Sequence, residues 1–306
     1  MSTVLVTGGT GLIGTALTKA LVEKGNAVII LTRNPERQQS KNELVSFAGW
    51  DLDKETIDGN AISKTDYIVH LAGANVGDKR WTEKRKKEIV DSRTKSSALI
   101  VKALKENSNH VKGVISASGV GWYGPDRPGE KAFVETDPAY NDFLGETCKV
   151  WEAGIEPVTA LNKRLVIFRT GIALSNEGGA LKEFKKPLNF GVATILGNGK
   201  QVVSWIHIDD LVRLYLFAIE NENINGVYNA AAPMPVTNKE LIMELAKHKQ
   251  KFFIPFNVPT FVLKTVLGEM SIEVLKSATV NCKKIQDARF TFLYPSIKSA
   301  MEQLVG

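Results

Sequence analysis

The sequence has too few cysteines, too few clustered histidines and too short apolar runs to support a disulfide framework, a metal centre or a membrane span. Its only cysteines, Cys148 and Cys282, lie far apart and form no CxxC pair, which favours a reduced, cytoplasmic compartment. Its 4 histidines are scattered without ligand spacing, so no metal is expected. No apolar run approaches the roughly 18 residues of a membrane helix, and the N-terminus MSTVLVTGG has no basic leader. We therefore expect neither secretion nor a membrane partner.

The charge balance is mildly basic, with a formal net charge of +6. One cluster carries much of this charge, and it consists of Lys79, Arg80, Lys84, Arg85, Lys86 and Lys87. The cluster has two interpretations, the solvated face of a helix or a collar for an anionic ligand such as a nucleotide phosphate. It has no interleaved aromatic residues beyond Trp81, so a nucleic-acid partner is not expected.

Short apolar runs alternate with segments of helical periodicity over about the first half of the chain. The runs predict strands that are buried on both faces, at residues 3–7, 27–32, 44–48, 67–71, 114–118 and 165–169. Helical segments fall between them, notably at 83–105 and 142–161. This alternation predicts an α/β fold built on a Rossmann-type doubly wound parallel sheet.

The strongest chemical signal is the glycine-rich turn TGGTGLIG at residues 7–14. The GxGxxG pattern alone is weak, but this one follows a predicted strand and opens an amphipathic helix. Gly11 would let a pyrophosphate approach the backbone, and Gly14 would let the helix pack close to the sheet. The free N–H groups and the dipole of the helix start would then favour the anion. The turn predicts a dinucleotide site, with a plain tight turn as the alternative, and its contacts would come from Gly8, Thr10, Gly11, Leu12, Ile13 and Gly14.

The residues at the end of the second predicted strand indicate which cofactor is bound. Sites for NAD usually carry an Asp or Glu there, which holds the ribose 2′-hydroxyl. This sequence instead reads Leu31-Thr32-Arg33-Asn34. An arginine cannot accept a hydrogen bond from a hydroxyl, but its fork of donors can pair with a 2′-phosphate. Thr32 and Arg33 therefore predict NADP(H) rather than NAD(H), unless Arg33 is an ordinary surface residue.

Two domains follow from these patterns. We expect residues 1–170 to form the NADP-binding Rossmann domain, which would also receive segments from about 200–232. Residues 171–306, whose rhythm is looser, would mainly form a smaller α+β lobe that caps the substrate. The apolar stretch 252–266 would be buried either within the chain or in a homodimer interface.

The sequence resembles the extended short-chain dehydrogenase/reductase superfamily, and within it an atypical branch, the epimerase family related to sugar-nucleotide epimerases. The resemblance rests on TGGTGLIG (7–14), HLAGANV (70–76), SASGVGWYG (116–124), WIHIDDL (205–211) and GVYNAAAP (226–233). The stretch PTFVLKTVLGEMSIEVL (259–275) is similar to the small terminal domain of this branch, which would cover about 250–306. The resemblance implies the same Rossmann fold.

The resemblance also implies further cofactor contacts, from Asp51, Leu71, Ala72, Gly73, Glu88, Arg93 and Ala173. Residues 71–73 would line the adenine and ribose edge, and Asp51 would lie near the adenine. Glu88 and Arg93 would point along one face of the long helix towards the cofactor, or else form a surface ion pair. Ala173 belongs to a segment that would pass the nicotinamide. Asp209 would cap a helix.

The catalytic pair of that superfamily is missing. The pair is Tyr-x-x-x-Lys, in which the lysine lowers the tyrosine pKa and binds the ribose, while the tyrosine acts as acid or base. The corresponding stretch here is DFLGETCKVWE at residues 142–152. In one register Phe143 pairs with Thr147, and in the other Leu144 pairs with Cys148. Neither register supplies the dyad.

Two other residues stay open as catalysts. Ser118 matches the superfamily's active-site serine only approximately, and Tyr123 is the nearest spare phenol. Each is either catalytic or has a structural or substrate-lining role. The function is accordingly open between two classes: an NADP(H)-dependent oxidoreductase or epimerase-like enzyme on a small or nucleotide-linked substrate, and a non-catalytic NADP(H)-binding sensor or interaction protein.

Overall fold

The computed structural model describes residues 1–127, 129–249 and 252–305. The strands are β1 (Thr3–Thr7), β2 (Ala27–Thr32), β3 (Val45–Asp51), β4 (Thr56–Ile57), β5 (Tyr67–His70), β6 (Gly113–Gly119), β7 (Arg164–Thr170), β8 (Ile172–Leu174), β9 (Val192–Leu196), β10 (Val202–Val203), β11 (Trp205–His207), β12 (Gly226–Ala230), β13 (Val236–Thr237) and β14 (Ile254–Val258). The helices are α1 (Leu12–Glu23), α2 (Gly59–Ser63), α3 (Glu83–Glu106), α4 (Phe143–Ile155), α5 (Gly179–Leu188), α6 (Ile208–Glu220), α7 (Asn238–His248), α8 (Thr260–Leu267), α9 (Ser271–Leu275), α10 (Lys283–Asp287) and α11 (Ile297–Val305).

The central sheet has eight strands in the order β12-β7-β6-β5-β1-β2-β3-β4. Neighbouring strands are parallel, except that β4 pairs antiparallel with β3 at one edge. The six strands predicted from the apolar runs all lie in this sheet, so the predicted doubly wound α/β fold is confirmed. Its chain order reverses at β1, where β5 lies on one side and β2 on the other. Ligands of such sheets bind at this switch point, outside the carboxyl ends of the strands.

Both faces of the sheet are covered, which explains why its strands are apolar without alternation. On one face α1 and α6 pack Leu17, Tyr215 and their neighbours against the strands. On the other face α3 and α4 contribute Ile100 and Ile155 to a second core. The segment that supplies α6 and β12, residues 208–230, thus packs with the Rossmann sheet although it follows β8 and β9 in the chain.

A smaller C-terminal lobe has a separate core, in which α5, α7 and α11 surround β9. Asp210, at the start of α6, is fully buried and anchors the last segment of the chain to the sheet. Its carboxylate accepts hydrogen bonds from the backbone of Leu293 and Tyr294, both at 2.8 Å, and from Arg213. The lobe is therefore held in place where it approaches the carboxyl edge of the sheet.

Three local expectations differ from the structure. The helix predicted over 142–161 ends at Ile155 and continues as a 3₁₀ segment over Glu156–Leu161, because Pro157 has no N–H to donate within an α-helix. Asp209 is not the cap of α6; the cap is His207, whose Nδ1 accepts the N–H of Asp209 at 3.1 Å. Much of the stretch 252–266 is not buried within the chain, since Phe252 and Phe261 are exposed, whereas Leu263 is buried. The homodimer interface stays a prediction.

Two kinds of feature are absent from the described residues. None of the helices has both the length and the apolar character needed to cross a membrane. Within the same part of the chain, no three His, Cys, Asp or Glu side chains are grouped as ligands of a metal ion.

Candidate functional site

The glycine turn after β1 forms a cradle that only glycine can build. Gly8 has φ +67°, and a Cβ there would lie 2.9 Å from the carbonyl carbon and oxygen of Leu71. A Cβ on Gly14 would lie 2.3 Å from the carbonyl oxygen of Gly8. Side chains at either position would therefore push the turn away from β5 or push α1 away from the turn.

The start of α1 offers unpaired backbone donors. Gly11 is its N-cap residue, and no side chain caps the helix. Thr10 and Gly11 are exposed, and a Cβ on Gly11 would meet only the carbonyl oxygen of Gly8, at 3.3 Å. The first N–H groups of a helix have no partner within the helix, and they carry the positive end of its dipole. Leu12 and Ile13 thus begin a helix whose end is suited to an anion such as a pyrophosphate.

Thr7 brings residues 71 and 72 beside this cradle. Its Oγ1 accepts the N–H groups of Leu71 and Ala72, both at 3.1 Å, and lies 2.8 Å from Nδ1 of His70. Because both lone pairs of the hydroxyl are used, its proton is donated to Nδ1, so Nε2–H donates to Ser97. Burial lowers the pKa of His70 to about 3, which keeps the imidazole neutral. A neutral, fully bonded histidine therefore supports the floor of the cradle.

The ends of β2 and β3 lie on the other side of β1. Thr32 is half-buried, and Arg33 follows it with an exposed side chain, as a contact to a 2′-phosphate requires. The carboxylate of Asp51 accepts the backbone N–H groups of Asp53 and Lys54 within its own turn, and these bonds lower its pKa. Asp51 therefore lies at the same end of the sheet as Arg33, but the hydrogen bonds of its carboxylate stabilise its own turn.

Ala173 lies on the side of the cradle where the smaller lobe begins. It is part of β8, which pairs in parallel with β11. A Cβ on Gly179 would lie 3.2 Å from Cδ2 of Leu12 and 3.6 Å from the carbonyl oxygen of Ala173. The predicted contacts Leu12 and Ala173 therefore flank one short turn, and the smaller lobe approaches the helix start through it.

Glu88 and Arg93 do not share a face of α3, so that expectation is wrong. Five residues turn a helix by about 140° beyond a full circle, and the two side chains diverge accordingly. The Glu88 carboxylate is largely exposed, and Arg85 lowers its pKa through an ion pair of 2.7 Å. Arg93 is buried, and a Cβ on Gly73 would lie 3.0 Å from its Cζ. Of the two, Arg93 is the one that lies against the segment 71–73, and the cofactor contacts of both residues stay predictions.

The basic cluster at residues 79–87 is partly neutralised. Arg85 is buried and paired with Glu88. Lys86 pairs with Glu269 of the smaller lobe at 2.5 Å, and Lys87 pairs with an aspartate one turn further along α3. Four members of the cluster are exposed, Lys79 and Arg80 just before α3 and Lys84 and Lys87 in its first turns.

Ser118 lies in a closed network at the ends of β6 and β7. Its Oγ donates to Glu152 Oε1 at 2.6 Å, and Arg169 holds both oxygens of that carboxylate at 2.9 Å. Ser118 is 5% exposed, Glu152 8% and Arg169 2%. The serine hydroxyl is thus sealed and engaged, which favours its structural role over its catalytic one.

Tyr123 belongs to the same network and has no exposed surface. Its hydroxyl donates to Asn229 Oδ1 at 2.8 Å and accepts from Arg169 Nη1 at 3.0 Å. Burial raises the pKa of Tyr123 to about 12, so the phenol holds its proton at neutral pH. Its ring stacks on Phe133 with centroids 5.0 Å apart. Tyr123 therefore has no exposed surface that a substrate could contact, and its contacts favour a structural role over a catalytic one.

The position of the missing dyad is filled by apolar and buried groups. Leu144 faces the end of β6, since a Cβ on Gly121 would lie 3.0 Å from its Cβ. Cys148 lies one turn further along α4, and its Sγ donates to the Gly119 carbonyl at 3.6 Å. The structure thus selects the register in which Leu144 and Cys148 replace tyrosine and lysine. Burial raises the pKa of Cys148 to about 11, so the thiol stays protonated.

Sequence reasoning missed Trp151, Glu152, Arg169 and Asn229. Trp151 stacks against the guanidinium of Arg93, with Cζ 4.7 Å from the ring centroid. The one available signal was Arg169, a charged residue that ends the apolar strand run LVIFR, because a buried charge requires a partner. Nothing in the sequence indicates that this partner would come from α4.

Comparisons with known proteins agree with this geometry. A family model described as the NAD dependent epimerase/dehydratase family matches residues 4–143 and 180–231, and a domain of unknown function matches 258–304. An epimerase family protein of Staphylococcus aureus (strain MRSA252) is 35% identical over 310 residues, which cover 100% of both chains. One from Staphylococcus saprophyticus is 35% identical over 302 residues, 98% of each chain.

Solved structures show the same likeness. The crystal structure of the human epimerase family protein SDR39U1 with NADPH has a TM-score of 0.85 and 28% identity, and the match covers 99% of both chains. A nucleoside-diphosphate sugar epimerase from Corynebacterium glutamicum has a TM-score of 0.78 and 31% identity over 100% of this chain and 58% of that one. UDP-glucuronic acid 4-epimerase from Bacillus cereus, with 20% identity and a TM-score of 0.81, shows the fold alone.

Proposed function

The chain belongs to the NAD dependent epimerase/dehydratase family, and from this premise we propose that it is an NADP(H)-dependent oxidoreductase or epimerase-like enzyme acting on a small or nucleotide-linked substrate. The observation that carries the proposal is the cradle of Gly8, Gly11 and Gly14 with its uncapped helix start, together with the exposed Arg33 after the neighbouring strand β2. A turn that requires glycine at two positions, and leaves its donors unpaired, has the form of a phosphate site.

The residues around the cradle fit a dinucleotide with a 2′-phosphate. The start of α1 would hold the pyrophosphate, and Arg33 would pair with the 2′-phosphate. Leu71, Ala72 and Gly73 would border the cofactor across β1, and Ala173 would border it from the smaller lobe. The human relative that shares this fold was crystallised with NADPH, which supports the choice of the phosphorylated cofactor.

The chemistry follows from what each part can supply. NADPH, when bound, supplies a hydride. The chain's own residues hold the cofactor at the edge of the sheet and place the smaller lobe over it. Ser118 and Tyr123 are engaged inside the protein, so the proton that accompanies a hydride would come from the substrate, from water or from another residue of the smaller lobe.

A second candidate function is a sensor or interaction protein that binds NADP(H) without turnover. One specific observation favours it: the place of the catalytic pair holds Leu144 and Cys148, neither of which exchanges a proton readily at neutral pH. Under this alternative the cradle keeps its ligand, and the cap passes the redox state of the cofactor to a partner.

The first experiment is a titration of the purified protein with NADPH and with NADH, followed by nicotinamide fluorescence. We expect tighter binding of NADPH, and Arg33→Asp should weaken it about ten- to a hundredfold, because a charge-assisted hydrogen bond is lost and a repulsive carboxylate is added. Lys105→Asp is the matched control, since it makes the same charge change at an exposed site in the last turn of α3. Equal affinity for both cofactors, or an equal loss in the control, would contradict the role of Arg33.

A measurement of turnover distinguishes the enzyme from the sensor. The protein is incubated with NADPH and a panel of small carbonyl compounds and nucleotide sugars, and the absorbance of the reduced nicotinamide is followed. A substrate-dependent loss of absorbance that disappears in a binding-deficient variant supports the enzyme. Binding of NADPH with neither consumption of the reduced nicotinamide nor conversion of any sugar in the panel favours the sensor, because an epimerase returns its hydride to the substrate and regenerates the cofactor.

A further inference from the structure

One end of the smaller lobe exposes two phenylalanines that lie on adjacent stretches of backbone. Phe190 is 88% exposed and Phe252 is 84% exposed. The N–H of Ile254 donates to the carbonyl oxygen of Gly191 at 2.8 Å, and β9 and β14 run side by side from this point. Single exposed apolar side chains are ordinary, but adjacent ones indicate a binding surface. We refer to this end, residues 185–191, 249 and 252–254, as the lobe tip.

The lobe tip is also positively charged. Burial and the nearby charge of Lys249 lower the pKa of Lys185, so the two ammonium groups repel each other. Within the described residues both amines donate to neutral oxygen atoms and neither pairs with a carboxylate. Glu183, on the same helix as Lys185, pairs instead with Lys186 at 2.7 Å. Two like charges without a counter-charge are unfavourable, and an anionic partner would relieve their repulsion.

The lobe tip lies away from the glycine cradle. α5 begins at Gly179, where a Cβ would lie 3.2 Å from Cδ2 of Leu12. From there the helix extends for about 15 Å before it reaches the tip. β9 leads from the tip to Gly197, where a Cβ would lie 3.0 Å from Cδ2 of Leu275. A large partner could therefore bind the tip while the cradle stays accessible.

We propose that the lobe tip binds the surface of a membrane that contains anionic lipids. Phe190 and Phe252 would enter the headgroup region, and Lys185 and Lys249 would contact lipid phosphates. So few groups provide a reversible, peripheral attachment. This partner differs from the sequence expectation, which rested on the lack of a long apolar run and so concerned only helices that cross a bilayer.

The charge of the tip favours an anionic lipid surface over two other partners. A second copy of the chain is disfavoured, because two tips in contact would bring their lysines together. A nucleic acid is disfavoured because Phe190 and Phe252 project into solvent, whereas proteins that stack bases on aromatic rings hold the strand in a basic groove.

The test is cosedimentation of the full chain with vesicles of phosphatidylcholine alone, or of phosphatidylcholine with phosphatidylglycerol. We expect the wild type to bind the anionic vesicles, and to bind them more weakly as the salt concentration rises. The double variant Phe190→Ser/Phe252→Ser should bind at least about tenfold more weakly, because less apolar surface leaves water. Lys249→Glu should also bind about tenfold more weakly, since an attraction to the lipid phosphates becomes a repulsion.

Phe261→Ser and Lys200→Glu are the matched controls. Phe261 is 71% exposed, but it lies on α8, beyond the other end of β14. Lys200 is exposed beyond the other end of β9. Both controls should bind the anionic vesicles as the wild type does. The midpoints of urea unfolding should be the same for all variants, because every substituted side chain is at least partly exposed.

Four outcomes would overturn the proposal. The wild type could fail to sediment with the anionic vesicles, or sediment equally with both kinds of vesicle. The tip variants could bind as tightly as the controls do. Light scattering could show a wild-type dimer that Phe190→Ser/Phe252→Ser dissociates, which would make the tip an interface between two copies. Tighter binding to a single-stranded oligonucleotide than to the anionic vesicles would make it a nucleic-acid site.

Discussion

Two neighbouring regions at the carboxyl ends of the sheet strands differ in whether their polar groups are exposed or buried and hydrogen-bonded. The open region consists of the cradle 8–14, Arg33 and residues 71–73, at the ends of β1, β2 and β5. There the helix start is uncapped and Arg33 is exposed. The closed region consists of Ser118, Tyr123, Glu152, Arg169 and Asn229, at the ends of β6 and β7. There each side chain is buried and hydrogen-bonded to another.

The contrast assigns the two regions different physical tasks. Free donors at a surface add little to folding, because water can satisfy them in either state, but they bind an anion well. A sealed network of charged and polar groups binds nothing, and its disruption leaves buried groups unpaired. Changes at the exposed positions of the open region, Gly11 and Arg33, should therefore alter cofactor affinity and spare stability. Changes in the closed region should do the reverse.

The largest effect is expected in the closed region. Arg169→Met removes both hydrogen bonds to the Glu152 carboxylate and leaves that charge buried beside Ser118. Removing one partner of a buried ion pair costs about 3–5 kcal/mol, and we expect that loss in the free energy of unfolding measured with urea. The NADPH affinity of the folded variant should be unchanged.

The double variant Arg169→Met/Glu152→Leu is the control for this interpretation. It replaces both charges with apolar groups and should recover most of the lost stability. If the double variant is as unstable as the single one, the cost lies in lost packing, for example against Trp122, whose ring centroid is 3.5 Å from Arg169 Cζ.

The second prediction is that Gly11→Asp raises the stability of the protein and lowers its affinity for NADPH. Gly11 has φ −83° and ψ 176°, which any residue adopts, and only the Gly8 oxygen lies close to a Cβ there. Gly11→Asp would place a good N-cap residue and a favourable charge at the start of α1, which adds a few tenths to about 1 kcal/mol of stability. The same carboxylate would occupy the anion position, so NADPH binding should fall at least about a hundredfold.

Gly11→Ser is the control for Gly11→Asp. It can cap the helix without adding charge, and it should lose less affinity. A Gly11→Asp protein that binds NADPH as well as wild type would show that the helix start is not the phosphate site, and the contrast between the two regions would lose its basis.

The sequence could predict the open region because local rules fix it. The turn at 7–14 depends on glycine, Arg33 follows a strand, and the six apolar runs lie within a residue or a few of the observed strands. The closed region depends on contacts between distant segments. Glu152 comes from α4, Arg169 from β7 and Asn229 from β12, and no local pattern states that their side chains meet. The sequence also misplaced Glu88 and Arg93 on one face of α3, because a separation of five residues turns a helix well past a full circle.

The smallest of these effects concerns Tyr123 and divides the two interpretations of the closed region. Tyr123→Phe keeps the ring stacked on Phe133 but removes the donor to Asn229 Oδ1, which is buried. An unsatisfied buried acceptor costs about 1–3 kcal/mol, so the midpoint of urea unfolding should fall with an unchanged slope. NADPH affinity should not change, and any turnover found with the carbonyl panel should persist. A variant of wild-type stability that had lost turnover would instead make Tyr123 a catalytic residue, and the sealed network would then have to open during the reaction.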